Sequence, residues 1–147
     1  MDAFTSRVYL LRHGEIATPG ILCGHVDVAL SDVGYEQMRL ASAKLSRFDA
    51  IYSSPLKRCS THAEFLARQH TINVQYNNAL KEFNFGDWDG QDYQQLWQQN
   101  GKPHVGDFWQ HPWQVKVPNG ELMADFYARV EAWWQAFLVS LTESKHT

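Results

Sequence analysis

Short apolar runs alternate along the chain with stretches whose apolar positions recur every three or four residues. Residues 7–11 (RVYLL) are rich in β-formers and stop at the polar Arg12-His13-Gly14-Glu15, which predicts a buried strand. Residues 14–31 carry Gly14, Pro19, Gly20, Gly24 and Ser31 and read as a loop. Residues 32–47 place Val33, Met38, Leu40, Ala41 and Leu45 among good helix formers and predict a helix. Residues 50–53 (AIYS) and 71–76 (TINVQY) read as two further strands. Between them, Ser54-Pro55 suits an N-cap and first helical position for a helix reaching Gln69. The order β, helix, β, helix, β is that of an α/β protein with a mainly parallel sheet.

Residues 81–120 break the pattern. Phe83, Phe85, Trp88, Tyr93, Trp97, Phe108, Trp109 and Trp113 are interrupted by Gly86, Gly90, Gly101, Pro103, Gly106, Pro112 and Pro118. This is an excursion with one short helix near residues 92–100. From Asn119-Gly120 onward, Leu122, Phe126, Val130, Trp133, Phe137 and Leu141 fall on one stripe and predict a long helix that must cover something.

Composition narrows the function classes. The 147 residues, 44% of them hydrophobic, suit a single domain over 1–147. A net charge of −3 with no basic block gives no reason to expect nucleic acid or an anionic membrane surface. The first residues show no signal-peptide pattern, and no apolar run approaches the ~20 residues of a membrane helix. The two cysteines, Cys23 and Cys59, make no disulfide framework and suggest a cytoplasmic setting.

Ligands of open α/β sheets bind beyond the carboxyl ends of the strands, where Arg12 and His13 leave the first one. Arg58 falls in the first turn of the helix after the second strand, where backbone N–H groups favour an anion. Two arginines there make a phosphate or carboxylate clamp. A neutral imidazole could attack phosphorus, and Glu82, after the third strand, is placed to donate a proton. Each residue also has a plain reading: an Arg-His pair hydrogen-bonding in a loop, a solvated helix arginine, an ordinary surface glutamate. Rival chemistries fail on spacing. Cysteine phosphatases need Cys-x5-Arg, but Ala29 and Phe65 stand six residues after Cys23 and Cys59. Asp87-Trp88-Asp89 follows Asn84-Phe85-Gly86 rather than a buried strand, no P-loop is present, and the histidines lack zinc-ligand spacing.

Four ordered blocks, LLRHGE (10–15), CGHVDVALSDVGYEQ (23–37), IYSSPLKRCSTHAEFLA (51–67) and LKEFNFGDWDG (80–90), resemble the motif series of the histidine phosphatase, or phosphoglycerate mutase-like, superfamily. VPNGELMADFYARV (117–130) is similar to that family's next landmark. Within it, the short early loop, Arg58-Cys59 and EFNFGDWDG resemble the alpha-ribazole phosphatases of cobalamin biosynthesis. Ile16 and Pro19 depart from the mutases. The resemblance implies a three-layer α/β fold with a mainly parallel sheet. It implies His13 as nucleophile through a phosphohistidine, Glu82 as proton donor, and Arg12 and Arg58 on the phosphoryl oxygens. Backbone N–H groups at Cys23 and Gly24 would assist, on a small phosphorylated substrate with no metal or cofactor. The alternatives are a broad small-molecule phosphatase, a mutase-like enzyme, or a phosphate binder without turnover.

The family's second pocket histidine, which follows a strand after the long helix, has no match. His146 is followed by Thr147 rather than Gly. The sequence is expected to be a truncated product lacking a central strand, or else a natural short form in which His25 or His62 substitutes. The aromatic excursion would either pack on the sheet, the favoured expectation, or cover an aromatic substrate.

Overall fold

Residues 6–45 and 47–143 are described by the computed structural model. Two strands form, Ile51–Ser53 (β1) and Val74–Tyr76 (β2), parallel with Ile51 opposite Val74 and Ser53 opposite Tyr76. Parallel neighbours need a crossover, and it is supplied by Lys57–His70 (α2). That helix ends on Thr71 in the left-handed region (φ 55°), whose N–H returns to Ala67 O. Asp32–Ser42 (α1) begins on Ser31, which accepts from Gly34 N, and packs on α2.

The excursion builds its own core. Tyr93–Gln98 (α3), capped by Asp92, falls within the short helix expected near residues 92–100. Val105–Gln110 (α4) is held by a capping box between His104 and Asp107. Leu22, Phe83, Phe85, Trp88, Leu96, Val105, Phe108 and Val117 bury one another, with Phe108 and Val117 1% and 0% exposed. The buried rings are packing, but on one another rather than on the sheet as favoured from the sequence; Trp97, Trp109 and Trp113 remain exposed. The long helix, Met123–Glu143 (α5), joins both parts: Phe126 meets the excursion core, and Trp133 and Phe137 meet Tyr52 of β1.

Three expectations are corrected. Residues 7–11 form no strand, and Leu10 is 87% exposed. A parallel strand is stable when neighbours cover both faces, and the sheet among the described residues is β1 with β2 alone. α1 stops at Ser42, whose hydroxyl donates to Met38 O, while Leu45 N turns back to Ser42 O. α2 begins at Lys57 rather than Pro55 because its cap is remote: Asp27 Oδ1 accepts from Lys57 N at 2.7 Å.

Candidate active site

His13 is placed by the backbone around it. Its Nδ1 lies 2.8 Å from Gly14 O. A carbonyl can only accept, so Nδ1 carries a proton and, in the neutral ring, Nε2 carries the lone pair. Gly14 in turn lies flush against α1: a Cβ there would come within 2.1 Å of Gly34 O, and a Cβ on Gly34 within 2.0 Å of Glu15 O. Two glycines therefore permit the close approach that fixes the histidine. Glu15 N donates to Gln37 Oε1, and Ser31 Oγ donates to Glu15 Oε1, which ties the loop to both ends of the approach. Arg12 beside it is exposed and His13 half-buried.

Residues 23–27 are gripped on both polar sides. Asp89 accepts three successive N–H groups: Gly24 and Val26 at 3.0 Å on Oδ1, and His25 at 2.5 Å on Oδ2. Arg58, 1% exposed, donates from Nη1 to Val26 O at 3.0 Å and from Nη2 to Gly24 O at 2.6 Å. The sequence expectation gave the Gly24 N–H to a phosphoryl oxygen; in the structure Asp89 holds it. Arg58 likewise spends two donors on the loop, while its Nε is buried without an acceptor. A buried guanidinium donor left open is costly unless something arrives to accept it.

Glu82 is exposed at the edge of this group, its Oε1 accepting from Phe83 N at 2.8 Å. Arg58, Glu82, Asp89 and Asp27 all act on the Cys23 thiol. Burial raises its pKa first and the three carboxylates add to that, against the lowering by Arg58. Burial also raises Cys59, against Arg58 and a hydrogen bond with Ser54. Both thiols are thus held protonated, the opposite of a thiolate nucleophile. Arg58, Glu82, Cys23 and Gly24 come together; His13 is held from the α1 side, and no hydrogen bond or ion pair joins it to them among the described residues.

His62 does not reach this place. It is 1% exposed between α1 and α2, its Nε2 2.9 Å from Ser42 Oγ and its ring stacked on Phe65. Neither a surface histidine nor a pocket substitute, it is a core residue. His25 belongs to the gripped loop, with Nε2 buried and unpartnered. His146 lies outside the described residues. Among the described residues no cluster of three His, Cys, Asp or Glu could hold a metal ion, and no helix is long and apolar enough to cross a membrane. Sequence reading missed Asp89 and Asp27. Both contacts span tens of residues, and no local spacing announces them.

The sequence model of the histidine phosphatase superfamily (branch 1) matches residues 8–145. Adenosylcobalamin/alpha-ribazole phosphatase of Escherichia coli (strain K12) is 31% identical over 145 residues, 95% of this chain and 68% of that protein. A 2,3-bisphosphoglycerate-dependent phosphoglycerate mutase of Bartonella quintana (strain Toulouse) is 30% identical over 88% of this chain and 65% of the mutase. The crystal structure of the alpha-ribazole phosphatase from Shigella flexneri superposes with a TM-score of 0.72 at 30% identity, over 92% of this chain and 67% of that one. The chain thus spans about two thirds of the length of these relatives.

Proposed function

The chain belongs to the histidine phosphatase superfamily, and from that premise we propose that it hydrolyses a phosphomonoester through a phosphohistidine at His13. The observation that carries the reading is the Nδ1 to Gly14 O contact, which leaves Nε2 with the free electron pair. Nε2 attacks phosphorus, the bond to the leaving oxygen breaks, and that oxygen takes a proton from Glu82. The Glu82 carboxylate then removes a proton from water, whose oxygen displaces His13 and releases inorganic phosphate. Arg12 and the open Nε of Arg58 bind the phosphoryl oxygens as charge develops. Gly24 and Cys23 shape the wall of the site.

The substrate we propose is alpha-ribazole 5′-phosphate, in cobalamin biosynthesis. Two relatives of that activity, matched along nearly all of this chain, support it. The likeness to a mutase supports a broader small-molecule phosphatase as the second reading. Residues 1–147 act as one domain with an excursion at 81–120, and two free thiols fit the reducing cytoplasm.

The test is steady-state hydrolysis of p-nitrophenyl phosphate by the chain and by His13→Ala. Turnover should fall at least roughly a thousandfold in the variant, and an acid-labile phosphoenzyme should form on the parent alone. Phosphate binding without any phosphoenzyme would make the chain a binding protein instead.

A further inference from the structure

We propose that Arg129 and Glu121 are positioning residues for Glu82, an inference that rests on the reading of Glu82 as the proton donor. Arg129 lies two turns into α5. All five of its N–H donors have acceptors. Nη1 donates to Ala79 O at 2.7 Å and Lys81 O at 2.9 Å. Nη2 donates to Glu82 O at 2.9 Å and Glu121 Oε2 at 3.0 Å, and Nε to Glu121 Oε1 at 2.6 Å. One guanidinium therefore fastens three carbonyls within four residues, ending on that of Glu82 itself.

Glu121 completes the bracket from the other side. Its Oε2 accepts from Asn84 N at 3.1 Å, and its own N–H donates to Asn84 O at 2.9 Å. Its carboxyl sits below the ordinary range: burial raises it, but the hydrogen bonds from Arg129 and Asn84 outweigh that. The next residue after Glu82, Phe83, is 3% exposed in the excursion core. The backbone is thus fixed at 79, 81, 82 and 84, and the exposed Glu82 side chain is set on it by the hydrogen bond its Oε1 accepts from Phe83 N. This network clasps α5 to the chain, and in doing so it also fixes the stretch that carries Glu82. A proton donor gains directly, because proton transfer demands hydrogen-bond reach to the leaving oxygen. Lysine cannot replace the arginine, since a single ammonium has three donors and no planar fork.

Leaving-group dependence separates positioning from folding. A nitrophenolate leaves without a proton, whereas a simple alkoxide needs one. The value of kcat/KM covers steps only up to loss of the alcohol, so it isolates this transfer. Arg129→Lys and Glu82→Gln should each lose roughly 10- to 100-fold in kcat/KM on propyl phosphate and less than about threefold on p-nitrophenyl phosphate. Glu121→Gln, which keeps the packing, should show the same selectivity in milder form. An equal loss on both substrates in Arg129→Lys and Glu121→Gln, with Glu82→Gln selective, overturns the positioning role and leaves the reading of Glu82 intact. Equal losses in Glu82→Gln itself remove the proton-donor reading, and this inference with it. Absence of His13-dependent turnover in the parent chain removes both.

Discussion

Asp89 shows how a single carboxylate can set the shape of a site it does not enter. Three successive N–H groups converge on it, and the same loop is drawn from its carbonyl side by Arg58. Asp89→Ala leaves those donors to partly excluded water, so stability should fall by roughly 1–3 kcal/mol. Chemical denaturation measures the loss, and an unchanged midpoint would mean the loop keeps its form unaided. His62 makes a different residue-scale prediction. Its Nε2 donates to the Ser42 hydroxyl, which itself donates to Met38 O, so Nδ1 is a bare buried acceptor. Protonating it would bury an unpaired cation, and burial accordingly lowers its pKa from the ordinary 6.5. The unfolded chain binds the proton more readily, so stability is full above about pH 6.5 and falls as pH drops toward the lower folded value. The slope from this group reaches at most about 1.4 kcal/mol per pH unit. It should be absent in His62→Gln, which urea titrations between pH 5 and 8 would compare with the parent.

At the scale of elements, legibility followed the range of the forces involved. α1, α2, α3 and α5 were readable because helix-forming composition and periodicity are local: Phe126, Trp133 and Phe137 point where the spacing puts them, while the Ser31 and Asp92 caps came only with the structure. α4, no shorter than α3, was missed because Gly106 inside it and Pro103 and Pro112 beside it read as breakers; its one mark was the His104–Asp107 capping box, with histidine in an unusual role. Residues 7–11 were misread because a strand is decided by its neighbours rather than by its own composition. The site divides the same way. His13, Arg58 and Glu82 were legible as candidates by residue type and by their place after the predicted strands. What holds them was not: Gly34 against Gly14, Asp89 on the loop, Arg129 on the Glu82 carbonyl. Each of those contacts joins residues more than nineteen positions apart, beyond any local pattern.

For the whole molecule, the unresolved tension is between a well-packed excursion and an uncovered sheet side. Val8, Leu10 and Leu11 are 41%, 87% and 39% exposed, and Tyr127, Leu138 and Val139 of α5 are 58%, 38% and 54% exposed. Scattered apolar residues at a surface are ordinary; here a consecutive apolar run is exposed, and the sheet among the described residues has two strands. Sheets this small are marginal by themselves, and apolar runs near open edges promote association between chains. Purified chain should therefore self-associate with rising concentration, read as an increase in weight-average mass by sedimentation equilibrium. Leu10→Lys is the sharpest probe, because Leu10 has the most exposed side chain of the run and loses little internal packing when changed. That substitution should restore monomer without lowering the denaturation midpoint. If the parent sediments as a monomer at every concentration, the exposed run is tolerated as it stands, and the stability of the molecule rests on the excursion core and its clasp to α5.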